Sequence, residues 1–106
     1  MPAYTPIKLT GRLDTTRVGE IETQFYANIG AVKDAGEVVL IDLREVDFIS
    51  SLGIRMLITA GKQLVRRKVE LRLLAPQSQP VREELQVAGV TELFAFFDSE
   101  DAARDG

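Results

Sequence analysis

The 106-residue sequence contains no cysteine and no histidine. Without cysteine there is neither a disulfide nor a thiolate nucleophile, and without histidine there is no Ser-His-Asp triad and no imidazole ligand for a metal ion. The only Gly-Lys pair, Gly61-Lys62, is followed by Gln63 and does not form a phosphate-binding loop. These absences remove most enzyme classes and leave only carboxylate sites for Mg²⁺ or Ca²⁺ open. We expect a protein that is not an enzyme and that uses no metal ion and no cofactor.

Long apolar runs and a charge of one sign are also missing. The longest aliphatic run, Val38 to Ile41, is far shorter than a membrane span, and the opening MPAYTPIKLTGRL lacks the layout of a secretory signal. The 16 acidic and 13 basic residues are mixed along the chain and give a net charge of −3, so no basic field favours nucleic acid. We expect a cytoplasmic protein that neither inserts into a membrane nor binds nucleic acid.

The residues that are present suit a globular protein. Hydrophobic residues make up 45% and charged residues 27% of the chain, which are ordinary proportions for a folded domain. A chain of this length supports one modest core. We therefore expect one domain over residues 1–106.

Apolar periodicity divides the chain into alternating strands and helices. Strands are predicted at 7–9, 38–43, 69–74 and 93–97, and helices from 15 to about 35, from 54 to 65, from 80 to 88 and after 98. The run 38–43 is continuously apolar except for Asp42, which is typical of a central strand buried on both faces. The order predicts an α/β fold, with a mixed, mostly parallel sheet of about four strands and about four helices packed against it.

In such sheets, functional sites tend to lie beyond the carboxyl ends of the strands, where we place a loop over residues 48–53. Ser50 and Ser51 in this loop precede a helix, and the common role of serine there is to cap the helix. The same position tolerates a phosphate, because the positive end of the helix dipole and free N–H groups face it. The residues alone leave both roles open.

Three further residues are candidates for the same surface. Asp14 and Thr15 follow GRL and are typical helix-capping residues, although they can also form a polar wall near the serine loop. Arg55 lies one turn into the predicted helix, where it is either a solvated side chain or a partner for a carboxylate.

Three stretches together resemble the STAS domain, and among its members the small, freestanding anti-sigma factor antagonists of bacteria. They are GRLD at 11–14, VVLIDLREVDFISSLGIRML at 38–57 and LRLLAPQSQPVREELQVAGVTELFAFFDSEDAA at 71–103. The family's loop often resembles Asp-Ser-Ser/Thr-Gly-Leu-Gly. Matching Gly53 and Ile54 to its Gly-Leu places Ser51 at the phosphoacceptor position and Ser50 where the family has aspartate. The first strand usual in the family is expected to be shortened here.

The resemblance implies a regulatory protein-binding module. Such an antagonist binds a serine kinase anti-sigma factor while unphosphorylated and is released when the kinase phosphorylates Ser51, with Ser50 as the second candidate. A serine phosphatase would reset it. The residues carried over to the partner-binding surface are Asp14, Thr15, Ser50, Ser51, Leu52, Gly53 and Arg55.

Two other functions are weighed against this one. The first is a constitutive STAS scaffold subunit of a signalling or transport complex, in which Ser51 only caps a helix. The second is a hydrolase with Ser51 as nucleophile, but the chain has no histidine base, and the Ser-x-x-Lys pattern fails because the fourth residue is Ile54.

Overall fold

The computed structural model describes residues 3–105 and contains four strands and five helices in that range. These are β1 Tyr4–Leu13, α1 Thr15–Gly30, β2 Val38–Ile49, α2 Ser51–Arg66, β3 Glu70–Leu74, α3 Gln79–Val87, α4 Val90–Leu93, β4 Ala95–Phe97 and α5 Glu100–Asp105. The strands form one sheet in the order β1-β2-β3-β4, and each neighbouring pair is parallel. The predicted α/β fold is confirmed, although the described sheet is wholly parallel rather than mixed.

The two faces of the sheet are covered unequally. The larger core lies on the face covered by α1, α2 and α3, and the β2 residues Val39, Ile41 and Leu43 point into it. On the opposite face, Val38 and Leu40 pack in a smaller cluster with residues that include Ala103 of α5. Because β2 lies between β1 and β3 and is buried on both faces, the prediction that it is central is confirmed.

β1 is longer than the predicted strand 7–9. It pairs with β2 from Tyr4 to Leu13, so the residues Tyr4 to Pro6 belong to the same strand and pair with the sheet. The expectation that the family's usual first strand is shortened here stays a prediction. Its register with β2 shifts twice, between Lys8 and Thr10 and between Gly11 and Arg12, and Gly11 has a positive φ of 75°. These irregularities interrupt the period of two by which a strand is recognised in a sequence.

β2 also continues beyond its predicted end at Leu43, to Ile49. Gly11 pairs with Val46 and Arg12 with Phe48, so the pairing skips Asp47 and leaves both Asp47 and Phe48 exposed. The predicted loop 48–53 is therefore not a loop. Ser50 alone separates the end of β2 from the start of α2.

Two other boundaries differ from prediction. α1 ends at Gly30 rather than near residue 35. At this end of the helix, Arg67 donates hydrogen bonds of 3.3 Å to the Ile29 and Gly30 carbonyl oxygens. Of the predicted strand 93–97, Leu93 is the last residue of the single helical turn α4, and only Ala95–Phe97 pairs as a strand. In between, Phe94 packs over Gly61 of α2, where a Cβ atom would lie 2.1 Å from the ring.

Candidate functional site

β1 and β2 end side by side, and each leads directly into a helix. Leu13 is in register with Ile49, and the Ser50 N–H donates a 2.9 Å hydrogen bond to the Leu13 carbonyl oxygen. Asp14 caps the N-terminus of α1, and Ser50 caps that of α2. The parallel pairing therefore brings two helix N-termini, with their free N–H groups, to the same end of the sheet.

The two neighbouring serines have different environments. Ser50 has extended backbone angles, is partly buried, and accepts a 3.3 Å hydrogen bond from the Gly53 N–H at its Oγ atom. Ser51 is the first residue of α2 and is exposed, and its hydroxyl has no hydrogen bond within the described part of the chain. Ser50 thus performs the capping role, and the Ser51 hydroxyl faces solvent.

Gly53 holds the first turn of α2 close to the ends of both strands. A Cβ atom at this position would lie 2.8 Å from Ile49 Cγ1 and 3.4 Å from the Leu13 carbonyl oxygen. Gly53 is buried. Its contribution to the site is this close approach, which positions the exposed Ser51 and Leu52 at the surface.

Asp14 is bound on two sides. One carboxylate oxygen accepts a 2.9 Å hydrogen bond from the Arg17 N–H, and the other lies 3.4 Å from Arg12 Nε. The Arg12 guanidinium also stacks on Phe48, with its central carbon 4.0 Å from the ring centroid. Asp14 therefore caps α1 and also orients Arg12 over the end of β2, where cation–π contact stabilises the exposed ring.

The exposed surface at this end of the sheet is a mixture of apolar and polar groups. We call it the serine patch and define it as Thr15, Phe48, Ser51, Leu52 and Arg55. Phe48 is 36% and Leu52 39% exposed, so the serine patch presents two large apolar side chains to solvent. Arg55 is exposed one turn after Ser51 and forms no ion pair among residues 3–105.

The structure brings the seven sequence-predicted site residues to one end of the sheet. Asp14 and Thr15 come from the start of α1, and residues 50–55 come from the start of α2. The sequence analysis missed Arg12 and Phe48. In the sequence, Phe48 resembles a core residue. Its exposure depends on the pairing of β1 with β2, which skips Asp47. The sequence signal for this irregularity is the pair of charged residues, Arg44 and Glu45, that interrupts the apolar run of β2.

An ion pair between the buried Asp42 and the half-buried Arg44 lies in β2 before these residues. Asp42 is 9% exposed and accepts hydrogen bonds from the Arg44 backbone N–H at 3.0 Å, from Nε at 3.0 Å and from Nη2 at 2.9 Å. The bonds from the Arg44 side chain are the main reason why the pKa of Asp42 is lowered. This pair stabilises the strand that leads to the serine patch.

Residues 3–105 contain no cluster of three or more acidic side chains placed to hold a metal ion. Within the same range, none of the helices combines the length and the apolar character needed to span a membrane.

Comparisons with known proteins agree with this architecture. The family model described as the STAS domain matches residues 3–103. BtrV of Bordetella bronchiseptica, named as a candidate anti-sigma factor antagonist, is 37% identical over 82 residues, which are 76% of this chain and 69% of BtrV.

Two solved structures share the fold. An anti-sigma factor antagonist from Mycobacterium paratuberculosis superimposes with a TM-score of 0.79 at 21% identity, over 99% of this chain and 86% of that one. The unphosphorylated form of the anti-sigma factor antagonist SpoIIAA superimposes with a TM-score of 0.69 at 23% identity, over 99% of this chain and 89% of that one. The family match and the shared fold together identify this chain as a member of the STAS domain family.

Proposed function

We propose that this protein is an anti-sigma factor antagonist that binds a serine kinase anti-sigma factor through the serine patch and is released by phosphorylation of Ser51. The observation that carries the proposal is the division of roles between the two serines. Ser50 caps α2, whereas Ser51 presents an exposed hydroxyl without a hydrogen bond in the described structure. A kinase can therefore modify Ser51 without removing the cap.

The proposed reaction uses the partner's ATP and Mg²⁺. The Ser51 Oγ atom forms a bond to the γ-phosphorus, the bond from that phosphorus to the oxygen it shares with the β-phosphate breaks, and ADP leaves. A base on the kinase accepts the hydroxyl proton. A serine phosphatase reverses the change by hydrolysing the phosphoserine, and the proposal places this cycle in the cytoplasm.

A phosphate on Ser51 would change binding more than folding. It adds a charge of about −1.5 to −2 beside the N–H groups that begin α2, where a negative charge is favourable. Arg55 lies one turn along the same helix face, within reach of such a phosphate. The phosphate thus adds charge to a surface that is partly apolar, and it pairs with Arg55 in place of a partner's carboxylate. Both effects oppose burial of the serine patch by a partner.

The relatives support the same function. BtrV and the two fold neighbours are named as anti-sigma factor antagonists, BtrV as a candidate one. The alternative is a constitutive STAS scaffold subunit, which would bind its partners through this surface without regulation at Ser51. The two differ in a single observable, the sensitivity of the complex to a negative charge at Ser51.

Affinity co-purification from the source cells tests the proposal. The baits are the natural protein, Ser51→Ala, Ser51→Asp and, as a charge-matched control on an exposed residue of α1, Thr23→Asp. We expect a kinase-like protein to be retained by the natural protein, Ser51→Ala and Thr23→Asp, and to be lost with Ser51→Asp. Retention of the same partners by all four baits, with no phosphate on Ser50 or Ser51, would instead favour the constitutive scaffold.

A further inference from the structure

The charged side chains of α2 and of the two residues after it are all positive. Residues 51–68 contain five basic side chains and no acidic one, although the whole chain has a net charge of −3. Arg67 turns inward to the end of α1, where it binds carbonyl oxygens. Lys62 and Arg66 remain exposed, so they present their charge to solvent on the last two turns of the helix.

An apolar groove opens beside these two cations, between α2 and α4. It has a volume of about 330 Å³, and its lining includes Val65 and Leu93, which are 67% and 59% exposed. Gly61 and Phe94 also line it, and the missing Cβ of Gly61 lets the ring approach the helix. No acidic side chain lines the groove among residues 3–105.

We infer that this groove is a second docking site, which takes an amphipathic helix of a protein partner with an apolar face flanked by carboxylates. A concave apolar groove of this kind matches the apolar ridge of a helix. Lys62 and Arg66 supply the complementary charge along one rim. Because the exposed Val65 and Leu93 line a depression, this surface suits the apolar ridge of a helix better than a lipid surface.

The groove is separate from the serine patch, although both involve α2. The two surfaces lie on the same face of the helix, because the seven-residue spacing places Ser51, Ile58 and Val65 in one line. They are separated by distance along the helix. Val65 follows Ser51 by fourteen positions, which correspond to about 21 Å along the helix axis. The inference therefore goes beyond the proposed phosphorylation switch, and it predicts a contact that persists when Ser51 carries a negative charge.

Titration of the full chain with model peptides tests the inference, with amide chemical shifts and fluorescence anisotropy as readouts. The first peptide is an amphipathic helix with a leucine face and a glutamate face, and the second has lysine in place of every glutamate. Val65→Glu and Arg66→Glu alter the groove. Val87→Glu is the matched control, because Val87 is 87% exposed on α3 and does not line the groove.

We expect saturable binding of the glutamate peptide, with shifts confined to residues 58–66 and 93–94. Binding should be about tenfold weaker for Val65→Glu and Arg66→Glu, and unchanged for Val87→Glu and Ser51→Asp. An absence of saturable binding at millimolar peptide, equal binding of the lysine peptide, or shifts elsewhere would overturn the inference. Binding to vesicles of anionic phospholipid, lost in Val65→Glu, would overturn it in favour of a membrane surface.

Discussion

At the scale of single residues, the site depends on neighbouring side chains with separate tasks. Ser50 satisfies an N–H group at the start of α2, Asp14 does the same for α1, and Gly53 allows the helix to lie against Ile49. Ser51 takes no part in these contacts within the described structure, which leaves it accessible. Ser50 is therefore the structural serine, because its hydroxyl reaches the Gly53 N–H, and Ser51 is the serine that is free for modification.

Alanine substitution should separate the two serines by stability. Ser50→Ala removes the capping hydrogen bond and is expected to lower the free energy of unfolding by about 1 kcal/mol. Ser51→Ala removes an exposed hydroxyl and should change that free energy by no more than about 0.5 kcal/mol. Urea unfolding curves of the two variants measure the difference. Equal losses, or a larger loss for Ser51→Ala, would show that the capping roles are assigned to the wrong residues.

Gly53→Ala should be destabilising despite the good helix propensity of alanine. The added Cβ atom would lie 2.8 Å from Ile49 Cγ1, so side chain or helix must move, at an expected loss of about 1–2 kcal/mol. Gly19→Ala is the matched control, because Gly19 lies within α1 with no heavy atom near its Cβ position. That control should gain up to about 1 kcal/mol by helix propensity. A neutral Gly53→Ala in urea unfolding would contradict the packing described for α2.

At the scale of helices and strands, the sheet is held on its second face by α5. The Tyr4 hydroxyl donates a 2.7 Å hydrogen bond to the Arg104 carbonyl oxygen, and Arg72 Nη1 donates one of 2.5 Å to the Ala103 carbonyl oxygen. These bonds satisfy carbonyl groups in the last turn of α5. The first and third strands are thereby tied to the C-terminal helix, which covers part of the β2 surface.

The Asp42–Arg44 pair in β2 should make stability depend on pH. The pKa of Asp42 is lowered, mainly by hydrogen bonds from Arg44, so its folded pKa lies below the unfolded value of about 3.9. The stabilisation is therefore fully present above the unfolded pKa, and it is lost as the pH falls through the folded pKa. Asp42→Asn should lower the free energy of unfolding by about 1–2 kcal/mol at neutral pH.

Urea unfolding of the natural protein and Asp42→Asn across a pH series tests this linkage. The two stabilities should converge as the pH falls below about 4, because protonated Asp42 resembles asparagine. Asp34→Asn, at an exposed position between α1 and β2, is the control and should track the natural protein throughout. A difference for Asp42→Asn that persists unchanged into strong acid would contradict an electrostatic origin.

At the scale of the whole molecule, the sequence predicts the alternation of strands and helices because apolar periodicity survives in most of the elements. The prediction of an element fails where contacts between distant residues override the apolar periodicity. The predicted β1 is too short because the pairing of this strand with β2 shifts at Gly11. The predicted β2 is too short because Arg44 and Glu45 interrupt its apolar run. The turn α4 is not predicted, and the predicted strand 93–97 begins two residues too early, because the packing of Phe94 on Gly61 is a contact between distant residues.

The sequence predicts the position of the candidate site more fully than the exposure and contacts of its side chains. The positions of Asp14 and residues 50–55 follow from helix-start signals and from the ends of parallel strands, which are local patterns. The exposure of Phe48 and the stacking of Arg12 on it depend on the register between two strands, which no local pattern specifies. Which serine caps α2 is likewise decided by three-dimensional geometry.

The most direct test of the central claim is the fate of the complex during phosphorylation. The kinase-like partner captured by Ser51→Ala would be purified, combined with the natural protein, Ser50→Ala or Ser51→Ala, and followed by native mass spectrometry after addition of ATP and Mg²⁺. We predict one phosphate on Ser51 and dissociation for the natural protein and Ser50→Ala, with Ser51→Ala unmodified and bound. Phosphate on Ser50, or a complex that persists after Ser51 is phosphorylated, would contradict the switch.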